Sequence, residues 1–269
     1  MNIIVTCGTS QTEKFGNPKL LQLLNLNLSA SGYTSLESYF GQDPDPIRNG
    51  RFEREFREVA NNVAEIIKEF IEKSQSIEYI GKKNNPLGAE ISTLLVYFKQ
   101  NQNQNNHTFY ILRSDTYSGW FNAEVLGLVL QNLGWASQVE LVPIENLREQ
   151  PTATGTDPLI NLGRELKEIL TRITESQTKE PPLMVISGGF KSILPCLTVY
   201  SMIFAVKMVY LFEQSSHLVE INTISEIRDE KRLRKLWKDM ADLKIAASVD
   251  WFKDALSLRT SENISLPWL

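Results

Sequence analysis

The stretch Asn2-Ile-Ile-Val-Thr-Cys7, followed at once by Gly8-Thr-Ser-Gln11, decides the fold class of this chain. Its first six residues have the apolar, β-branched character of a buried strand, and the next four are small or polar. The same order recurs where Leu183-Met-Val-Ile186 meets Ser187-Gly-Gly-Phe-Lys191. In open α/β sheets such junctions bind phosphate, because free backbone N–H groups at the following helix start attract anions. The two junctions therefore predict an α/β fold and a phosphorylated ligand.

Neither junction carries a standard nucleotide motif. There is no G-x-G-x-x-G after the first strand and no G-x-x-x-x-G-K-[ST] in the chain, so the usual dinucleotide and nucleoside-triphosphate interpretations are weak. The chain has two cysteines, Cys7 and Cys196, and two histidines, His107 and His217. Without an H-E-x-x-H or paired C-x-x-C pattern, these predict neither a metal site nor a cofactor, and both histidines are expected at the surface.

Strand-like and helix-like segments alternate along the chain. The predicted parallel strands cover residues 3–6, 77–80, 108–113, 139–142, 183–186 and 207–212. The predicted amphipathic helices cover residues 53–73, 87–98, 122–133 and 159–173. This alternation predicts a Rossmann-like, mainly parallel sheet with helices on both faces. The alternating His217-Leu-Val-Glu-Ile221 after a short polar turn predicts a C-terminal β-hairpin.

The length of 269 residues fits one large domain with a small appendage, and 42% apolar residues are enough for its core. We predict a domain over residues 1–222 and a charged helical appendage over 223–269. The long connection between the first two strands is rich in Asp, Pro and Gly over residues 35–50, which favours a mobile loop or lid. The apolar stretch 193–212 is interrupted by Pro195 and Lys207, so it predicts a buried helix and a strand rather than a membrane span.

The charge balance argues against one class of ligand. The 28 basic and 32 acidic residues give a net charge of −4, so no cationic field attracts long nucleic acids. A compact anion in a local pocket stays possible. Cysteines in apolar segments and a start directly on a strand predict a cytoplasmic protein without a signal peptide.

Five segments, in order, resemble the CRISPR-associated Rossmann-fold (CARF) proteins, specifically their compact members that act as ring nucleases. They are Val5-Thr-Cys-Gly-Thr-Ser10, Pro86-Leu-Gly-Ala-Glu-Ile91, Arg113-Ser-Asp-Thr116 with Gly119 and Ala123, Ser187-Gly-Gly-Phe-Lys191, and Tyr210-Leu-Phe-Glu213 with its hairpin. The resemblance covers roughly residues 1–222. It implies a homodimer that binds cyclic oligoadenylate, the second messenger of type III CRISPR immunity, in a two-fold symmetric pocket.

The resemblance also implies a reaction. Ring nucleases cleave the ring without metal, with a ligand 2′-hydroxyl as nucleophile, to linear oligoadenylate ending in a 2′,3′-cyclic phosphate. Ring size is open, and cyclic tetraadenylate is favoured because compact members usually prefer it. In the family, the serine and lysine of the two junction motifs matter most for cleavage, and here they are Ser10 and Lys191.

The residue types suit this chemistry. In-line attack on phosphate needs aligned reactants and donors to the phosphoryl oxygens more than a strong base. Lys191 offers a cation at a predicted helix start, and Ser10 offers a hydroxyl. Asp115 is expected to cap the helix that begins near Ser118, because an acid beside phosphates would repel them. The candidate ligand contacts are Gly8, Thr9, Gln11, Arg113, Ser114, Asp115, Thr116, Gly188, Gly189 and Phe190.

Other functions stay open at this point. A CARF sensor would hold the ring uncleaved and pass its occupancy to a partner through the C-terminal helix. A ligand-controlled transcription regulator is a further alternative. An RNA-cutting effector is disfavoured, since no Arg is followed by His four to six residues later.

Overall fold

The computed structural model describes residues 1–8, 50–73, 79–80, 85, 87–102, 105–147, 157–186, 193–212 and 215–221. The strands are β1 (Asn2–Thr6), β2 (His107–Ser114), β3 (Ala136–Ile144), β4 (Leu183–Val185), β5 (Lys207–Leu211) and β6 (Leu218–Ile221). The helices are α1 (Gly50–Lys73), α2 (Ala89–Asn101), α3 (Tyr117–Asn132), α4 (Pro158–Glu175) and α5 (Leu194–Ile203). The predicted appendage over 223–269 and the connection over 9–49 lie outside the described residues.

The strands form one sheet in the order β3-β2-β1-β4-β5-β6. Strand β1 pairs in parallel with β2 on one side and with β4 on the other. Strands β5 and β6 pair antiparallel, with Met208 opposite Ile221 and Leu211 opposite Leu218. The Rossmann-like sheet and its C-terminal hairpin are therefore confirmed.

The strand order reverses beside β1. From β1 the chain builds outward through β2 and β3, and then returns to the other side of β1 to build β4 and β5. In open α/β sheets, ligands bind outside the carboxyl ends of the strands at such a switch point. The fold therefore directs attention to the carboxyl ends of β1 and β4.

Each face of the sheet buries an apolar core. On one face, Ile3, Val5, Phe109 and Ile111 pack with residues of α1, α2 and α3. On the other, Ile4, Tyr110, Leu112 and Met184 pack with residues of α4 and α5. Neighbouring strand residues thus point into different cores, which explains why these strands read as continuous apolar runs.

The predicted strand over 77–80 is wrong in its described part. Tyr79 and Ile80 form a turn, not a strand. Ile80 is buried in the core, and the Tyr79 ring packs edge-on against Phe70 with centroids 5.5 Å apart. Since β1 is already hydrogen-bonded on both sides, the sheet has no free position beside it. These two residues lie instead in the connection between α1 and α2, where Ile80 is buried and Tyr79 is 41% exposed.

The surface position expected for His107 is also wrong. Its side chain is 1% exposed at the start of β2, and its ring stacks on Phe98 with centroids 5.1 Å apart. Phe109 approaches the same ring edge-on. His107 is therefore a core residue at the amino edge of the sheet, which is the edge where the parallel strands begin. His217 is exposed as expected.

The apolar stretch 193–212 forms α5 and β5, as predicted. Lys207, which interrupts it, pairs with Glu220 of β6 at 2.7 Å. In the part of the chain that the structure describes, no helix combines the length and apolar character needed to cross a membrane.

Candidate functional site

Three candidate segments follow three neighbouring strands. Gly8 comes two residues after the end of β1, residues 113–116 span the end of β2, and Ile186 comes directly after β4. Because β1 lies between β2 and β4, these strand ends are neighbours at one edge of the sheet. The candidates Thr9, Ser10, Gln11, Gly188, Gly189, Phe190 and Lys191 lie outside the described residues.

Hydrogen bonds join these neighbouring strands up to and just beyond their last residues. The backbone N–H of Cys7 donates to the carbonyl of Leu112 in β2 at 2.8 Å, one residue beyond the end of β1. On the other side, the Thr6 hydroxyl donates to the carbonyl of Val185 at 3.4 Å. The backbone N–H of Ile186 donates to the carbonyl of Val209 in β5. The edge is thus a continuous, hydrogen-bonded scaffold.

A buried carboxylate meets the end of β1. The backbone N–H of Gly8 donates to Oε1 of Glu90 at 2.9 Å, and Glu90 is 3% exposed. Glu90 lies in the first turn of α2, where the helix dipole favours a negative charge. Any contact between Gly8 and a ligand therefore has to use a group other than this N–H.

The Cys7 thiol is not a reactive group. Burial, strengthened by the negative charge of Glu90, raises its pKa well above the ordinary value, while Arg113 opposes the change. A neutral, buried thiol is neither a nucleophile nor a good metal ligand. Across the described ranges, no group of three or more His, Cys, Asp or Glu side chains could hold a metal ion.

Arg113 places a cation at the end of β2. Its terminal nitrogen donates to the carbonyl of Ser114 at 2.9 Å, and its Nε is buried without a hydrogen-bond partner among the described residues. Burial lowers the pKa of the guanidinium, and the nearby acids Asp115 and Glu124, together with Cys7, oppose the change. A guanidinium remains charged at neutral pH even so. Arg113 therefore offers a positive charge that suits a phosphate oxygen.

Two hydrogen-bonded hydroxyl groups lie at the N-terminus of α3, and one of them caps the helix. Thr116 is the N-cap, and its hydroxyl oxygen accepts from the backbone N–H of Gly119 at 3.1 Å. The hydroxyls of Ser114 and Thr116 are 2.8 Å apart. A Cβ at position 119 would lie 2.1 Å from the Ser114 hydroxyl oxygen, so only glycine fits there. This close approach explains Gly119 within the segment that follows β2.

The cap expected from Asp115 is wrong, because Thr116 has that role. The Asp115 carboxylate instead accepts from the backbone N–H of Asn146 at 3.0 Å, just beyond the end of β3. Asn146 has a φ of 60°, in the left-handed region, and Asp115 holds it there. Asp115 thus connects the ends of β2 and β3.

A protein-family model for "CRISPR-associated protein (Cas_APE2256)" matches residues 85–224, which is more than half of the chain. The chain belongs to this family of CRISPR-associated proteins. No curated protein matches the chain. The family match begins just before α2 and continues beyond β6, so it includes Glu90 and residues 113–116.

The Cas_APE2256 match includes only one of the two residues expected to take part in cleavage. Lys191 lies inside the matched range, whereas β1 and Ser10 precede it. The family model therefore covers the candidate residues that follow β2 and β4 but not those that follow β1. The resemblance to CARF proteins includes all three segments.

Sequence reasoning missed one feature of this edge. Glu90 lies in the segment 86–91 that resembles the family, but its sequence position indicates no role, because an acid in the first turn of a helix ordinarily needs no explanation beyond the dipole. The signal that could have found it is its neighbourhood, since residues 91–98 that follow it in α2 are all uncharged and mostly apolar. Such a helix is buried all round, and a buried carboxylate needs a donor.

Proposed function

We propose that this member of the family is a ring nuclease. It binds cyclic oligoadenylate, specifically cyclic tetraadenylate, at the interface of a homodimer. It then cleaves the ring without metal to linear diadenylate with a 2′,3′-cyclic phosphate. This reaction removes the messenger of type III CRISPR signalling. The protein acts in the cytoplasm, and neither a membrane nor a long nucleic acid is a partner.

The observation that carries this proposal is the position of the switch point. Strands β1 and β4 are neighbours there, and the sequence continues from Gly8 to Ser10 within two residues and from Ile186 to Lys191 within five. Two segments with the residue types for phosphate cleavage therefore follow neighbouring strand ends. This is the position at which open α/β sheets bind their ligands.

In this mechanism the protein positions the ring rather than activating a metal-bound water. The 2′-hydroxyl of one adenylate loses its proton to water and forms a bond to the adjacent phosphorus, the P–O5′ bond breaks, and the 5′-oxygen takes up a proton from water. Ser10 aligns the attacking group, and Lys191 stabilises the charge on the phosphoryl oxygens. Such alignment and preorganised charge account for large rate enhancements without a strong base.

Arg113, Ser114 and Thr116 contact the ring on the β2 side of the same edge. Arg113 holds a phosphate through the charge of its guanidinium. The hydroxyls of Ser114 and Thr116 hydrogen-bond to each other, and the oxygens retain acceptor capacity for ribose or adenine donors.

A homodimer suits a ring with internal two-fold symmetry. Two copies related by a two-fold axis present the same edge twice, and a ring of four adenylates repeats under the same rotation. Each copy then supplies one set of cleavage residues, which explains a product of half the ring.

The test is incubation of the purified protein with cyclic tetraadenylate in EDTA, with products separated by liquid chromatography and identified by mass. Lys191→Ala is run alongside, with Lys167→Ala as the matched control because Lys167 is exposed on α4, away from this edge. We expect diadenylate with a 2′,3′-cyclic phosphate from the wild type and the control. Lys191→Ala should lower the rate by at least about 10²-fold, as loss of one transition-state donor typically does.

Two outcomes would contradict the proposal. Intact ring that stays bound to the wild type would mean a sensor, and attention would turn to the partner of the C-terminal segment. Cleavage that requires a divalent cation would exclude the metal-free mechanism.

A further inference from the structure

The end of β1 is fixed by two consecutive backbone hydrogen bonds of different kinds. The N–H of Cys7 donates to β2, at the Leu112 carbonyl, and the next N–H, that of Gly8, donates to the Glu90 side chain. Glu90 therefore takes the place of a ladder partner at the point where the chain leaves the sheet. Ser10, the proposed aligning residue, follows only two positions later.

The burial of Glu90 needs an explanation. A carboxylate taken out of water costs several kcal/mol unless donors compensate it. Leu87 and Ile91, which lie three residues before it and one after it, are also buried. The first turn of α2 supplies a favourable dipole, and Gly8 supplies a donor at 2.9 Å. The hydrogen bond exists only while the end of β1 stays in this conformation, whereas the dipole belongs to α2 itself.

Glu90 is poorly suited to binding the phosphate itself. A negative side chain repels an anion, and its effect is greatest in a buried site of low dielectric. Its influence on the reaction is therefore indirect, and at the end of β1 the group that it holds is the Gly8 N–H.

We propose that Glu90 is a positioning residue that fixes the Cys7–Gly8 peptide through the Gly8 N–H and thereby sets the direction in which the segment with Ser10 leaves β1. The kinetic part of this inference rests on the proposed ring nuclease function. The link from Glu90 to Gly8 does not, and it can be measured without turnover.

Two substitutions separate positioning from simple packing. Glu90→Ala removes the acceptor and leaves the Gly8 N–H to reorient. Glu90→Gln keeps one oxygen that can accept the same hydrogen bond. Thr93→Val is the matched control, because Thr93 is fully buried on the same helix, its hydroxyl donates to the Ala89 carbonyl, and valine is nearly isosteric.

The first measurement is the single-turnover rate of cleavage at saturating cyclic tetraadenylate, together with the dissociation constant of the ring. We expect Glu90→Ala to slow cleavage by about 10²-fold, the size of effect that an ångström of misplacement causes, with less than about a threefold change in the dissociation constant. Glu90→Gln should lose less than about tenfold. Thr93→Val should cleave at the wild-type rate.

The second measurement is hydrogen exchange of the Gly8 amide by NMR on the full-length protein without ligand. This amide should be protected in the wild type, Glu90→Gln and Thr93→Val, and exchange at least about tenfold faster in Glu90→Ala, since a lost hydrogen bond of about 1.4 kcal/mol gives that factor.

Unchanged protection of the Gly8 amide in Glu90→Ala would overturn the link between the two residues. Wild-type cleavage by Glu90→Ala, or equal loss of rate and of ring binding in both Glu90 variants, would overturn the positioning role. A wild-type protein that does not cleave at all would refute the proposed function instead, and the exchange experiment would still decide whether Glu90 holds Gly8.

Discussion

The amino edge of the sheet, where the parallel strands begin, and the carboxyl edge, where they end, bury different kinds of side chain. At the amino edge, His107 lies among the aromatic rings of Phe98 and Phe109, and Phe98 also meets Trp135 edge-on. At the carboxyl edge, Glu90 and the hydroxyls beside Arg113 are tied to backbone N–H groups and to one another. Aromatic packing needs only shape, whereas buried polar groups need donors and acceptors at fixed positions. The amino edge therefore stabilises the fold, and the carboxyl edge is where we place the chemistry.

The largest effect is expected from damage to the amino edge. Phe98→Ala removes a fully buried ring and should lower the free energy of unfolding by about 3–5 kcal/mol, measured by urea denaturation. Cleavage per folded molecule should stay at the wild-type rate. Phe98→Leu, with a smaller loss of stability, provides the same comparison if the alanine variant does not fold. Cleavage that falls far more than stability would contradict the separation of the two edges.

Removal of a charge from the carboxyl edge should weaken ligand binding and leave the free energy of unfolding nearly unchanged. Arg113→Gln should weaken binding of cyclic tetraadenylate by about 10–100-fold, because hydrogen bonds to charged groups are worth about 1.5–3 kcal/mol. Binding is best measured by calorimetry in the Lys191→Ala background, which prevents turnover. Arg172→Gln is the matched control, since Arg172 pairs with Glu140 on the surface between α4 and β3. Equal affinity in both variants would remove Arg113 from the site.

Buried thiols lie on both faces of the sheet, and they make stability depend on pH. Burial raises the pKa of Cys7 and of Cys196 above their ordinary values. The folded state therefore keeps protons that the unfolded state releases above about pH 8.5. Below that pH the stabilisation is complete, and above it each thiol should cost about 1.4 kcal/mol per pH unit. Urea denaturation between pH 8 and 10 measures this slope, which Cys7→Ala should reduce. An unchanged slope in Cys7→Ala would show that its thiol ionises in the folded protein.

The smallest effect concerns the start of α3. Thr116→Ala removes the N-cap and should cost about 1 kcal/mol of unfolding free energy, whereas Thr116→Ser keeps the hydroxyl and should cost less than half of that. Thermal denaturation of the two variants measures the difference. Equal stability would mean that Thr116 does not cap the helix and would reopen a capping role for Asp115.

Local patterns predicted much of this fold. Apolar runs indicated the six observed strands. The Gly-rich and hydroxyl-rich ends of β1, β2 and β4 indicated candidate ligand contacts, and the structure places these three strand ends beside one another. The spurious strand over 77–80 shows the limit of such reasoning. A short apolar run is buried either in a sheet or in a connection, and only the pairing of β1 on both sides decides which.

The contacts within the candidate site were less predictable, because they join residues far apart in the chain. The bond between Gly8 and Glu90 spans 82 positions, and that between Asp115 and Asn146 spans 31. Nothing in the local sequence of Asp115 distinguishes a helix cap from a link to another strand end. Thr116 is the cap because it lies directly before Tyr117, the first residue of the helix, and its hydroxyl accepts from the Gly119 N–H three positions later.

The most direct test of the account is hydrogen exchange of the full-length Lys191→Ala variant with and without cyclic tetraadenylate, followed by mass spectrometry. We predict ligand-dependent protection in peptides covering residues 3–12, 110–120 and 184–195, and unchanged exchange at the amino edge around residues 98–108. Protection at the amino edge, or none in the three peptides at saturating ring, would contradict the claim that the carboxyl edge binds the ligand.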